Sequence, residues 1–386
     1  MKRLYFLLML CLASLTASAQ AEMTAAQQLI QRMQSLQKQG VMYGHQDDCF
    51  YGLTWEWDEN RSETFDLVGD YPGVMGFDLG GIEMGDLKNL DSVPFNRIRQ
   101  EAIRQYERGG IITFSWHPRN PLLGTTAWIE SDIKEYEAAR PYMDRVKACP
   151  KAMPDPKSTV RECLPGGVCY DKYMLWLSRV TLFLTTVRDN EGRPIPFIFR
   201  PYHENNGGWF WWGEGNCSKE EYRALWNMTQ DYIRQYLPDN IVWSYSPNLY
   251  GMWTREHFME RYPGNDRCGL LGLDAYQWGT EEAFVGGVKA DLAFLVPFAK
   301  ENNLLFALTE CGYKNSPDPT WWSRVLLKTI EGSPACYVLP WRNASHEHFG
   351  ASKDVSTADD FRQLAKNKQL LFVKDINTTT TKRKKR

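Results

Sequence analysis

The chain has 386 residues, 43% of them hydrophobic, with a formal net charge of −2, enough for one large domain or two small ones. So even a balance argues against nucleic acid or an acidic membrane surface as a partner. Aromatic residues make up 13%, with 15 Trp; tryptophan is costly to expose, so that many implies a lined cleft as well as a core.

The first nineteen residues read as an export leader. Lys2 and Arg3 supply the charged start, Leu4 to Leu15 the apolar stretch, and Ala17-Ser18-Ala19 a small-residue cleavage site. The stretch is too short to span a membrane, and Leu10 precedes Cys11 where lipoprotein processing wants a small residue. The expectation is a soluble exported chain, cut after Ala19, periplasmic or secreted. Cys11 leaves with the leader, so eight of nine cysteines remain, an even count that allows disulfides in an exported chain. Cys149, Cys163 and Cys169 share one loop-like segment suited to a local bridge. Cys311 and Cys336 fall in apparent strands and read as buried free thiols.

After the leader, Thr24 is a candidate N-cap for an amphipathic helix ended by Gly40, with Leu29, Ile30, Met33 and Leu36 on its apolar face. Strand-like runs then alternate with helical ones. The strands are predicted at 41–45, 74–79, 111–116, 195–200, 241–245, 270–275, 304–308 and 336–339. Helices are predicted at 94–108, 170–188, 219–237 (with Ser218 and Glu221 as a capping box), 284–301, 321–331 and 358–367. Eight strands alternating with helices predict a (β/α)8 TIM barrel, an α/β fold, rather than an open sheet. No phosphate-binding glycine motif follows any strand, which weakens nucleotide-binding readings. One domain is expected over 20–373, with 374–386 a basic, disordered tail ending Lys-Arg-Lys-Lys-Arg. The insertion from Pro121 to Cys169, carrying Trp128, is too long for an ordinary connection and is expected to wall the cleft.

Most strands end in polar chemistry: Gly44-His-Gln-Asp-Asp48, Asp78-Leu-Gly-Gly81, Ser115-Trp-His-Pro118, Asp274-Ala-Tyr-Gln-Trp278, Thr309-Glu-Cys-Gly-Tyr313 and Pro340-Trp-Arg-Asn343. A barrel's site lies at those ends. Taken singly, each residue is better read as structural; their joint polarity is hard to read as core. The densest stretch is Phe199-Arg-Pro-Tyr-His-Glu-Asn-Asn-Gly-Gly-Trp-Phe-Trp-Trp-Gly213, in which a buried strand runs into His203-Glu204 and then four aromatics. The structural reading is a carboxylate capping the next helix. The functional one is a carboxylate beside an aromatic platform, the way sugars are held. Strict alternation from Arg200 puts Tyr202 and Glu204 on one strand face.

Glu204 after strand four and Glu310 after strand seven can meet over a barrel's mouth, and a pair of carboxylates is what a glycosidase needs. Asp47, Asp78 and Asp274 are rivals that spacing does not exclude. A metal site drawn from His45, His117, His203 and His346-Glu347-His348 has no ligand-spaced motif behind it, and a serine hydrolase lacks its nucleophile elbow. No metal and no cofactor are expected.

The 200–213 block, with Thr309-Glu-Cys-Gly-Tyr313 and the other strand ends in matching order, resembles glycoside hydrolase family 26, chiefly β-mannanases. The resemblance covers nearly all of the mature chain and implies a retaining hydrolase of β-1,4-mannosidic bonds in mannan or galactomannan. Glu204 would be the acid/base and Glu310 the nucleophile. His203 and Tyr276 would hydrogen-bond around the nucleophile and the adjacent sugar. Trp209 and Trp341 would flank the cleaved unit, and His117 would help hold the sugar on the non-reducing side; Trp128 completes the binding set. Residue 205 is Asn where some relatives carry Met. Other members cleave β-1,3-xylan or mixed-linkage glucan, so the family leaves the sugar open. The competing classes are a non-catalytic carbohydrate-binding barrel and a polysaccharide esterase. The partner is a polysaccharide, and the chain is expected to be a monomer.

Overall fold

The computed structural model describes residues 22–143 and 154–377; the leader, Cys149 and the run at 382–386 lie outside the described residues. Eight parallel strands form in chain order: β1 Val41–Gln46, β2 Val74–Asp78, β3 Ile111–Trp116, β4 Phe197–Pro201, β5 Ile241–Tyr245, β6 Leu270–Gln277, β7 Leu305–Tyr313 and β8 Ala335–Pro340. Each pairs with the next, and β1 also pairs with β8, Met42 opposite Tyr337 and Tyr43 opposite Val338. The sheet is therefore a closed barrel, and helical segments on its outside make it the expected (β/α)8 fold.

Two apolar layers follow from strand alternation. Ile198, Val242 and Leu270 point inward with Met42, Val74 and Leu305. Phe197, Phe199, Leu271 and Leu273 point outward against the helices. The first helix, Ala25–Leu36, starts on the Thr24 capping box and adds Leu29, Met33 and Leu36 to the inner layer. It therefore covers the bottom of the barrel and leaves the C-terminal mouth open.

Several boundaries differ from expectation for local reasons. β4 begins at Phe197 because Pro196 has no N–H to give to a ladder. The helix expected over 321–331 is wound as a π-helix over Trp321–Leu327, where Trp321 and Trp322 are both fully buried. The long insertion contains two helices absent from the sequence reading, Glu130–Met143 and Thr159–Cys163. The expected end of the domain is corrected as well: residues 373–377 form a helical turn, and Ile376 is buried in the inner layer. Cys311 and Cys336 are buried free thiols as expected, but Cys163 and Cys169 are unbridged too.

Candidate active site

Three strands bring the charged centre together. Alternation on β4 turns Arg200 into the barrel mouth, directly above Ile198, and on β6 it does the same for Asp274 and Tyr276. β7 needs a device. Leu305 and Ala307 face inward, so strict alternation would send Glu310 outward toward the helices. Leu308 pairs with Leu273, yet Glu310 pairs with Asp274, so Thr309 is an extra residue. This bulge turns Glu310 into the mouth, and Thr309 Oγ1 donates to Asp274 Oδ1 at 2.7 Å.

Arg200 is the hub. Its guanidinium donates to Asp274 Oδ2 at 2.9 Å, to Ser246 Oγ at 3.2 Å, and to Glu310 Oε1. Burial works against the guanidinium charge, but Asp274 and Glu310 more than offset it and hold its pKa raised. One oxygen from each of Glu204, Asp274 and Glu310 lies within 4.8 Å of the other two. Carboxylates so placed repel, and burying them without a cation costs several kcal/mol each; Arg200 supplies that cation. Tyr276 Oη donates to the second oxygen of Glu310 at 2.6 Å. Burial and then Glu310 raise the Tyr276 pKa, so it stays a phenol and a donor. Glu310 is thus bound on both oxygens by groups that stabilise the carboxylate.

Glu204 has a different setting. Its Oε2 accepts from Trp209 Nε1 and its Oε1 from Asn248 Nδ2, both at 2.8 Å. Burial first, then the neighbouring charge of Glu310, push its pKa up to about 7. Two carboxyl groups in one pocket thus sit in different settings, Glu204 among neutral donors and Glu310 against a guanidinium, an arrangement that suits an acid beside a nucleophile.

The backbone that carries Glu204 departs from the alternation expected for it. The strand stops at Pro201, and Tyr202 and Glu204 take φ of 49° and 51°, values rare outside glycine. Tyr202 consequently does not share a face with Glu204. It packs outward against the helices, bonded to Tyr173 Oη and to Thr229 Oγ1. The bend is pinned by Tyr222 Oη donating to the Tyr202 carbonyl (2.9 Å), Trp212 Nε1 to the His203 carbonyl (2.8 Å) and the Glu204 N–H to the Ser246 carbonyl (2.8 Å). Gly207 lets Trp209 fold back over the loop, since a Cβ there would lie 2.2 Å from the indole.

The histidines form a chain on the third-strand side. Asp78 Oδ2 lies 2.6 Å from His117 Nδ1, and His117 Nε2 lies 3.0 Å from His203 Nε2, which is 3.8 Å from Glu310 Oε1. Burial, Arg200 and His117 lower the His203 pKa well below normal, which keeps it neutral. Burial alone would lower His117, but the Asp78 carboxylate raises it. His45 is occupied elsewhere, 2.7 Å from Asp48. Trp128 stacks on His117, with ring centroids 5.4 Å apart and planes 10° apart, and Trp341 meets the same imidazole edge-on at 6.0 Å. The insertion is docked by backbone bonds from Ile129 N–H to Trp209 O and from Trp211 N–H to Ala127 O. It walls the cleft as its length suggested.

Every expected site residue falls in this one cleft: Glu204, Glu310, His117, Trp128, His203, Trp209, Tyr276 and Trp341. The residues not singled out as functional are Arg200, Ser246 and Asn248. Arg200 is the one charged residue of an otherwise apolar strand. Ser246-Pro247-Asn248 follows β5 and is a polar strand end like the others. Asp274 is the rival carboxylate that ends up as a partner of Arg200.

The profile of glycosyl hydrolase family 26 matches residues 17–294. Among solved structures, a GH26 beta-mannanase from Bacteroides ovatus superposes with a TM-score of 0.82 at 38% identity, covering 91% of this chain and 95% of that one. A mannan endo-1,4-beta-mannosidase from Bifidobacterium adolescentis is 27% identical over 85% of this chain and 33% of its own length. One from Bacillus subtilis is 26% identical over 67% and 63% respectively. The chain thus spans a third of the first curated relative and under two thirds of the second. With the profile covering most of the barrel and the Bacteroides ovatus structure extending through β7 and β8, the chain belongs to glycosyl hydrolase family 26.

Proposed function

We propose that this chain is a retaining glycoside hydrolase that cleaves β-1,4-mannosidic bonds in mannan and galactomannan. The observation that carries the reaction is the contrast between two neighbouring carboxyl groups. Glu204, with its pKa pushed up to about 7, donates a proton to the leaving oxygen. Glu310, held by Arg200 and Tyr276, attacks the anomeric carbon from the other side of the scissile bond. Carboxylate oxygens within 4.8 Å of each other suit the close pair of a retaining enzyme, whose carboxyl groups stand about 5–5.5 Å apart, better than the wider pair of an inverting one, at about 6.5–9.5 Å. In the second step Glu204, now ionised, takes a proton from water, which releases the sugar from Glu310. Trp209, Trp128, Trp341 and His117 offer the ring faces and donors that hold the chain.

Mannan as the substrate is supported by what the relatives are called. Export, to the periplasm or beyond the cell, and action as a monomer complete the reading; the leader-like start of the sequence supports export. Among the described residues no helix is long and apolar enough to cross a membrane. The test is release of new reducing ends from mannan, galactomannan, lichenan and β-1,3-xylan, with the products sized. The expected result is fastest cleavage of the mannans. Faster cleavage of lichenan or xylan would overturn the substrate, acid release without new reducing ends would mean an esterase, and binding without cleavage a non-catalytic barrel.

A further inference from the structure

β6 ends at Gln277, and the next residue is one that the reaction described above does not use. Trp278 is 68% exposed, yet it stands in an aromatic cluster at the edge of the site rather than alone on the surface. It continues the alternation of Asp274 and Tyr276, four and two residues before it. Its ring stacks on Tyr276, with centroids 5.4 Å apart and planes 28° apart, and Phe349 meets both rings edge-on, at 5.4 Å from Tyr276 and 6.0 Å from Trp278.

This is a rigid display, not a loose loop tip. Gln277, before it, is buried and accepts from Trp321 Nε1 at 2.8 Å. Thr280, after it, caps the helix Glu281–Glu301 by accepting from the Ala283 N–H. Phe349 is 4% exposed and wedged against Gly312, where a Cβ would come within 2.7 Å of the phenylalanine Cβ. Gly312 lies two residues beyond Glu310. The aromatic cluster is thus tied to the strand that carries Glu310 and, through Tyr276 Oη, to the Glu310 carboxylate itself.

One face of the indole is taken by Tyr276, and most of its remaining surface is exposed to solvent. A flat, half-wet aromatic face beside a sugar site offers the apolar C–H face of a pyranose a place to stack while its hydroxyls stay hydrated. Resting on the polysaccharide reading above, we propose that Trp278 is a sugar-binding platform for a backbone unit next to the cleaved one. It sets the preference for longer chains from the β6 side of the barrel, whereas Trp128 follows β3. Neither the match to the family nor the roles of Glu204 and Glu310 assigns this residue a part.

The test compares W278A and W278F with the wild-type chain on two substrates. β-1,4-mannohexaose fills the whole cleft, whereas 2,4-dinitrophenyl β-mannoside fills only the cleaved unit's site and the leaving-group position. For W278A the loss of kcat/KM on the hexaose should exceed the loss on the aryl mannoside by about tenfold, mostly through KM. W278F should recover most of it. In an E310A background, W278A should weaken binding of the hexaose by a similar factor, read by calorimetry. Equal losses on both substrates would mean that Trp278 only props Tyr276, and no loss on either would mean that it touches no sugar; both overturn the proposal. If the wild-type chain cleaves another polysaccharide of the panel and not mannan, the mannan reading fails separately. The same ratio is then measured on long and short forms of that glycan.

Discussion

Replacing Glu310 with alanine is expected to abolish hydrolysis of natural and activated substrates alike. No leaving group, however good, substitutes for a missing nucleophile, so the loss in kcat should reach about 10⁴ or more, roughly 5.5 kcal/mol of barrier. The fold should survive, because Arg200 keeps Asp274 and Ser246 as partners. Glu310→Gln, which preserves the shape, should be equally inactive while melting near the wild-type temperature. Activity of either variant on an aryl mannoside within tenfold of the wild type would remove Glu310 from the role of nucleophile.

Replacing Glu204 with alanine should leave a different kinetic trace. Hydrolysis of mannan should fall by about 10²–10⁴, the usual worth of a positioned acid. An aryl mannoside whose leaving group needs no proton should still form the covalent intermediate. That intermediate then accumulates for want of a general base, and KM falls. Azide, which needs no base, should restore turnover and yield a β-mannosyl azide. The pH profile carries the same assignment. Glu204 must be protonated to act as an acid and its pKa is about 7, so wild-type activity should decline as pH rises through that value. In the alanine variant, acting on the activated substrate, this basic limb should vanish. Equal loss on both substrate kinds, without azide rescue, would require the two glutamates to be exchanged or dropped.

How far the sequence carried the structure depends on which forces act locally. The eight strands were legible because apolar runs bounded by glycine, proline and polar residues leave few alternatives, and the closure of β1 on β8 follows from their number. Glu204 and Glu310 were legible as carboxylates at the ends of buried runs, a placement that costs energy unless partners or function offset it. The orientation of Glu310 was not legible. It depends on the bulge at Thr309, a matter of register between two strands that a period-2 reading of one strand cannot reveal. Tyr202 failed for a related reason: its left-handed φ is imposed by bonds to its own carbonyl and that of His203 from Tyr222 and Trp212, which come from far along the fold. Arg200 and Asn248 gain their meaning only from what they meet. The helices inside the long insertion were hidden by weak amphipathic patterning, whereas its role as a wall could be read from length and Trp128 alone.

The central claim is that Glu204 and Glu310 work by double displacement, and the stereochemistry of the first product tests it most directly. Hydrolysis of a β-1,4-manno-oligosaccharide is followed by proton NMR fast enough to beat mutarotation. The geometry, with carboxylate oxygens of the pair within 4.8 Å, predicts that the β-anomer appears first and the α-anomer only as the sugar equilibrates. First appearance of the α-anomer would mean a single displacement by water, and would contradict the account.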